Sequence, residues 1–289
     1  MAMLLIPLIP LLSVVRCTLI KQSSKDNEKI NIFAFNAVQN ISGILIMLIV
    51  FGFGLQLHLP TFYFSLAYAV CYLVGMVSDY KALSSGPMAL TSLICSYAII
   101  IPCFYGFFFL DESFGITRII GIALLLVSMF LINKTETEKA KKREWLFYVC
   151  ISFLCNGGML VINKMHQIHY PNQYQNEMII FALGIGFIVF GLIAIINGIL
   201  KKRNKAEYVA KTPIKASYAV FAGICMAALQ YVCLYVAARV DSLIMFPLDA
   251  IYGSLFSVAG SWFLFKEKFT IVQILGICLG VVSVILLNS

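Results

Sequence analysis

Asp249 is the residue whose type and setting most invite chemistry, because it places a carboxylate inside a long apolar run. It follows Pro247 and, on a helix, shares one face with Met245, Tyr252 and Phe256 at i−4, i+3 and i+7. A charged side chain at the centre of a bilayer costs about 2.5–3.5 kcal/mol by insertion scales. A carboxylate kept there exchanges a proton or pairs with a substrate ammonium. The plainer alternative is a permanent ion pair with Arg16 or Lys164, or a helix-packing hydrogen bond. Arg16 itself either meets an anionic substrate group or neutralises Asp249, but its long stem favours snorkelling toward the Lys21 end. Lys164, near the end of a later run, has the same option.

Aromatic and amide groups extend the set. Tyr72, Tyr97 and Tyr252, with Gln230 and Tyr231, offer ring faces and polar tips that bind cations and flat apolar groups. Tyr80 and Tyr235, near run ends, read as interfacial anchors. Asn156 precedes Gly157 and Gly158, and adjacent glycines suggest a bend that gates. Asn36, Gln39 and Asn40 read as glue between helices, about 0.6 kcal/mol each. The candidate substrate-binding residues are therefore Asp249, Tyr252, Tyr97, Gln230, Tyr231, Tyr72, Asn156 and Arg16. Asp249 is also the candidate proton-coupling residue.

Catalytic constellations are not visible. His58, His166 and His169 read as lying in connecting segments, and only Asp249 reads as a deep acid. The nine cysteines, 17, 71, 95, 103, 150, 155, 225, 233 and 278, all fall in apolar stretches without metal-ligand spacing. There they act as small hydrophobes. No GxxxxGK[ST] loop is present, so ATP drive within the chain is disfavoured. Neither an enzyme nor a cofactor or metal is expected.

The elements that must position these residues follow from composition. Of 289 residues 61% are apolar and only 12% charged, with mean hydropathy +0.94. A soluble domain carries roughly 25% charged residues. So few charges cannot solvate a surface, whereas lipid accepts an apolar exterior. An integral membrane protein follows. The net charge of +8 does not point to nucleic acid, since the basic residues sit in links between apolar runs. A hydrocarbon core of about 30 Å needs roughly 20 residues per helix. Ten such segments are predicted: 3–20, 31–52, 61–80, 85–109, 115–133, 145–164, 177–199, 216–238, 242–265 and 269–287. Short links, Lys81–Ser84 and Leu110–Phe114, force antiparallel neighbours. The first run lacks a basic leader and a cleavage site, so it reads as the first helix rather than a signal peptide.

The chain also repeats itself. Glu112–Asn133 aligns without gaps on Glu267–Asn288, at 267 − 112 = 155, with eleven of 22 positions identical. At the same offset Tyr97 pairs with Tyr252 and Tyr80 with Tyr235. The expected organisation is all-α, ten transmembrane helices as two inverted five-helix repeats: 1–133, a 134–144 linker, and 145–289. Five is odd, so the second copy crosses in the opposite sense, an architecture suited to alternating access. Glu112 and Glu267 start helices five and ten, where a carboxylate complements the helix dipole. Gly276 and Gly280 form a GxxxG face for a homodimer or for a helix of the same chain.

The stretch Tyr80-Lys-Ala-Leu-Ser-Ser-Gly-Pro, an apolar helix, Phe-Leu-Asp-Glu112 and Ile-Ile-Gly121 resembles the EamA-like repeat of the drug/metabolite transporter superfamily. Tyr235–Val240, Lys266-Glu267 and Ile274-Leu275-Gly276 look like its second copy. The resemblance implies a cell-membrane carrier whose helices 1, 3, 4, 6, 8 and 9 line a cavity, with both termini cytoplasmic. Counting charges gives the reverse orientation: odd-numbered links carry seventeen Lys and Arg, while Arg118, Lys164 and Arg239 lie at even-numbered links. The expected activity is secondary active transport of a small organic solute (a metabolite, amine or amino-acid-like compound), proton-coupled through Asp249. A lipid-carrier flippase or passive facilitator of the same fold is the alternative. The expected partners are the solute, membrane lipid and, through the GxxxG face, a second copy.

Overall fold

The computed structural model describes residues 2–26, 31–52, 54–109, 116–132, 139–171, 173–203, 216–237, 242–266 and 270–287, with the side chains of 242–251 outside that description. Every element among them is helical. A 3-10 turn, Ala2–Leu5, leads into α1 (Leu8–Asp26), followed by α2 (Ile32–Phe51) and α3 (Leu59–Ser85). Next come α4 (Met88–Ser96), a 3-10 turn at Tyr97–Ile99, and α5 (Ile100–Phe109). The rest are α6 (Ile116–Ile132), α7 (Lys139–His169), α8 (Gln175–Arg203), α9 (Ala216–Ala237), α10 (Ser242–Phe265) and α11 (Ile271–Leu287).

A helix lies over each of the ten predicted segments, but several limits move. The Lys81–Ser84 stretch is not a link, because α3 runs through it and stops at Gly86, whose N–H bonds to Ala82 O. Pro87, which lacks an N–H, then opens α4. The fourth segment is broken rather than continuous. Pro102 cannot donate to the carbonyl one turn back, and the 3-10 turn at Tyr97–Ile99 takes up that defect. Residues 139–144, read as linker, already belong to α7. His166 and His169 lie in the last turn of α7 rather than in a connection. Glu112, Glu267 and the Leu110–Phe114 link lie outside the described residues.

Among the described residues seven stretches are long and apolar enough to cross a membrane: Met3–Ser24, Ile32–Phe51, Leu59–Ser85, Met88–Gly106, Arg143–His169, Gln175–Leu200 and Ala216–Cys233. Polarity is arranged inside out to match. Ile49, Phe108, Phe147, Ile195, Phe263 and Ile271 are exposed, while Asn36, Gln39, Asn40, Thr61 and Ser152 are buried. Only a hydrocarbon surrounding makes that distribution favourable.

Side-chain pairings give the helix directions. Arg16 meets Met76 while Lys21 Nζ donates to Gly86 O at 2.9 Å, so α1 and α3 run the same way. Thr61 meets His166 while Lys81 meets Tyr148, so α3 and α7 are antiparallel. Phe33 packs on Phe190 and Gly43 faces Leu183, which makes α2 and α8 antiparallel. Gln39 faces Gly223 and Phe51 packs on Tyr231, so α2 and α9 are parallel. Phe62 packs on Phe181 and Tyr72 faces Gly186, so α3 and α8 are parallel as well. Taken together, α1 opposes α7, α2 opposes α8, and α3 opposes α9.

Small residues let these helices approach closely. Gly75 faces Cys155 and Gly158 faces Cys71 across α3 and α7. A Cβ on Gly157 would lie 2.1 Å from Ile101 Cδ1. The Gly157-Gly158 pair therefore serves tight packing, and α7 is helical through it.

Candidate functional site

One face of α3 carries Tyr68, Tyr72, Met76 and Asp79, spaced by four, four and three residues, so they line a single stripe. Other helices bring polar groups to that stripe. From α7, Ser152 Oγ donates to Asp79 Oδ1, and Asn156 Nδ2 donates to Ser152 O at 2.9 Å and reaches Ser152 Oγ at 3.2 Å. From α4, Cys95 Sγ lies 3.1 Å from Ser152 Oγ and 4.0 Å from Asp79 Oδ1. Since the Ser152 proton goes to the carboxylate, the Cys95 S–H donates to Ser152 Oγ. Asp79 thus anchors a polar knot where α3, α4 and α7 meet.

Arg16 approaches the same stripe from α1. Its Nη2 donates to Met76 Sδ at 3.1 Å, and its Nε is buried without a hydrogen-bond partner. A thioether is a weak acceptor and a guanidinium has five donors, so this cation is poorly satisfied. Its field reaches Asp79, Tyr68, Tyr72 and Cys95, and Cys225 on α9. The expectation that Arg16 snorkels toward Lys21 is corrected: it turns inward, while Lys21 takes Gly86 O and lies over the Phe265 ring at 4.9 Å.

A layer of amides borders the stripe. Tyr72 OH donates to Asn40 Oδ1, and Gln39 Nε2 donates to Met226 Sδ at 3.6 Å. Asn36, Gln39 and Asn40 are 2%, 0% and 0% exposed, yet Asn36 Nδ2, Gln39 Oε1 and Asn40 Nδ2 have no partner. An unpaired buried polar atom costs about 1–3 kcal/mol.

The predicted site residues divide. Arg16, Tyr72 and Asn156 come together on or beside the α3 stripe. Tyr97 does not: its OH donates to Ser128 Oγ at 3.0 Å, Ser128 donates to Gly276 O at 2.6 Å, and this chain ties the 3-10 turn after α4 to α6 and α11. Tyr231 is 42% exposed and leans on Phe51 at a centroid distance of 5.8 Å, on the outer surface of α9. Gln230 is half-buried on α9. Tyr252 stacks on Phe256 at 6.0 Å and packs with Ile6, Ile9 and Val236. Asp249 lies on α10, but its side chain is outside the described residues, as are those of Arg118 and Tyr235. Tyr80 is no interfacial anchor: it is buried, edge-on to Phe35 at 5.4 Å.

Asp79 is the residue the sequence reading passed over. The third predicted segment, 61–80, ends one residue beyond this acid. The signal that finds it is Gly86-Pro87, a turn-forming pair that sets the true end of α3 beyond Asp79. The expectation that Asp249 alone lies deep is thereby corrected.

Residues 2–134 match the EamA-like transporter family, which covers the first five predicted segments and ends where the 134–144 stretch begins. No curated protein matches the chain.

Proposed function

We propose, on the match of residues 2–134 to the EamA-like transporter family, that the chain is a membrane transporter of the drug/metabolite type and moves a small organic solute across the cell membrane by alternating access, as a secondary carrier. The observation that carries this reading is Arg16: a guanidinium turned into the protein, bonded to a thioether, with Nε unpartnered and Asp79 within its field. A structural cation in lipid is paired or reaches the interface. One left open between helices is available to a solute.

The ten-crossing, inverted-repeat architecture is part of the proposal. It is supported by the opposed directions of α1 and α7, α2 and α8, and α3 and α9. It is supported too by the way α6 packs on α11, the two ends of the 155-residue offset, through Ser128 and Gly276. In such an arrangement, rocking one block against the other exposes the α1–α3–α7 polar groups to each side in turn. Proton coupling through Asp249 belongs to the same proposal.

The test is uptake into proteoliposomes from a panel of metabolites and amines, preceded by a thermal-shift screen of the purified chain. The reading expects at least one solute to stabilise the wild type and to exchange across the bilayer. Asp249→Asn is expected to abolish gradient-driven accumulation but keep exchange. A chain that exchanges no member of the panel counts against the carrier reading; unchanged accumulation by Asp249→Asn counts against the coupling residue alone.

A further inference from the structure

We propose that His58, Thr61 and His166 form a proton-released latch that fastens the start of α3 to the end of α7. The inference rests on the carrier reading, in which α3 and α7 belong to two blocks that part at this end. Thr61 Oγ1 lies 3.0 Å from His58 Nδ1 and 3.2 Å from His166 Nε2. A hydroxyl carries one proton, so it donates to one ring and accepts from the other. Gln167 sets the direction. Its Nε2 donates to His166 Nδ1 at 3.4 Å, which leaves the His166 proton on Nε2, facing Thr61. Thr61 in turn donates to His58 Nδ1, which requires an uncharged His58.

A charged imidazole donates from both nitrogens and accepts at neither. With His58 charged, the Thr61 proton loses its acceptor. With both rings charged, two cations also face one buried oxygen. Thr61 and His166 are both 0% exposed, so water reaches neither while this end is closed. Opening hydrates both rings and lets both charge. Proton uptake therefore accompanies opening: the latch holds in alkali and lets go as pH falls across the histidine range, about 8 to 5.

The groups around the pair fit this sense. His169 stands one turn on along α7, Tyr170 and Tyr174 come from the connection after it, and Glu177 comes from the first turn of α8. The fields of His58, His169 and Glu177 all reach His166. Among the described residues one carboxylate thus faces three imidazoles, enough to compensate a first added charge and not a second. Lys164, two residues before His166, lies on another face of α7. Neither 53–57 nor 170–174 contains Lys or Arg, so histidines supply the positive charge here.

Tyr174 shows what moves. Its φ is +54°, in the left-handed region that strains a residue bearing a side chain, and its ring stacks on His58 at 4.5 Å with 6° between planes. Its carbonyl accepts from Met178 N at 3.0 Å and so starts α8. A charged His58 keeps the Tyr174 face, which attracts a cation. The contact that gives way is therefore the one through Thr61, and the strain at Tyr174 favours the movement.

The experiment measures amide exchange of the purified full chain at about pH 8 and about pH 5, the ends of the histidine range, with rates corrected for the intrinsic effect of pH. Protection of residues 166–174 is expected to fall about ten- to hundredfold at the acid end, since opening that takes up one proton gains tenfold per pH unit. Residues 178–190, inside α8, are expected to keep theirs. His58→Gln retains a neutral donor and acceptor but cannot charge, so its protection is expected to be nearly the same at both ends. His169→Gln is expected to respond like the wild type. A monodisperse elution profile and cooperative melting show that each variant folds. Where His58→Gln does not, a titration of carbon-13-labelled histidine in the wild type replaces it, with two of the three rings expected to charge where protection falls. The inference is overturned if 166–174 are equally protected at both ends, if 178–190 lose as much, or if His58→Gln keeps the full response. Loss of the response in His169→Gln, or no ring charging in that interval, overturns it too. In each of those cases the carrier reading survives wherever a solute exchanges in proteoliposomes. Acid opening in a chain that exchanges no solute leaves the latch standing and removes the carrier reading.

Discussion

Ser152 on α7 donates its hydroxyl proton to Asp79 on α3, across two antiparallel helices that also share the Gly75–Cys155 and Cys71–Gly158 contacts. The hydroxyl does double duty, since Asn156 Nδ2 and Cys95 Sγ both approach the same oxygen. Ser152→Ala strips the carboxylate of its closest donor. The expected loss is about 1.5–3 kcal/mol of stability, the range for a hydrogen bond to a charged group. Asp79→Asn removes the charge that needs the donor. In that background Ser152→Ala is expected to cost less than half as much, so the double variant loses less than the sum of the two single losses. Reversible unfolding of the four proteins in one detergent checks this, and strictly additive effects would break the assignment.

Gly280 on α11 sits so close to the 3-10 turn after α4 and to α6 that a Cβ there would lie 1.5 Å from Tyr97 OH and 2.8 Å from Ser128 Oγ. Gly280→Ala is therefore expected to destabilise by about 1–3 kcal/mol through overpacking. Tyr97→Phe removes the atom in closest conflict, so the Gly280→Ala, Tyr97→Phe double variant is expected to recover part of that loss. Thermal unfolding distinguishes the cases. The same geometry bears on the GxxxG face of Gly276 and Gly280. It is engaged within the chain, so a homodimer, if one forms, uses another surface, and Gly280→Ala is expected to leave the oligomer mass measured by light scattering unchanged.

Much of this was legible in the residues, for reasons the bilayer imposes. Hydrocarbon demands long apolar helices and punishes charge, so segments such as Ile32–Phe51 and Gln175–Arg203 announce themselves. The second predicted segment starts at Asn31, and the structure caps α2 there with a side chain that accepts from Phe33 N and Ala34 N. What was not legible depends on partners distant in sequence. Asp79 became a site only when α3 was seen to continue to Ser85 and when Ser152, on another helix, was placed against it. Tyr97 and Tyr72 look equivalent as letters. One closes a structural hydrogen-bond chain to α11 and the other faces unpaired amides, a difference set by which helix each one meets.

At the opposite end of α3, Thr61 Oγ1 lies 3.0 Å from His58 Nδ1 and 3.2 Å from His166 Nε2. His58 in turn stacks on Tyr174 at 4.5 Å and meets Tyr170 edge-on at 4.8 Å, so all three elements around this end are tied together. A single hydroxyl bridges two rings. Thr61→Val keeps the shape but removes both hydrogen bonds, leaving His166, which is buried, short of a partner. The expected cost is about 1–3 kcal/mol, with Thr61→Ser close to wild type. Thermal unfolding reads the stability, and amide exchange at residues 166–174 reads the loosening. Equal stability of Thr61→Val and Thr61→Ser would show that the bridge contributes nothing.

Cysteine chemistry separates the lipid face from the seam. Cys150 on α7 and Cys278 on α11 are exposed, while Cys95 lies beside Ser152 and Asp79. Thiol reagents attack the thiolate, which needs water. Variants that each keep one of these cysteines are treated with a charged maleimide in sealed vesicles. Cys150 and Cys278 are expected to stay unmodified until the membrane is dissolved and the chain denatured, because hydrocarbon covers them. Cys95 is expected to react when the seam opens to the reagent's side, and to be protected by any solute that the carrier exchanges. Rapid modification of Cys278 in intact vesicles would put the outer face of α11 in water, against the inside-out arrangement of polarity described above. Reaction of Cys95 that no exchanged solute slows would separate the Asp79 knot from the transport path, and would leave Arg16 and the α2 amides as the groups that meet the solute.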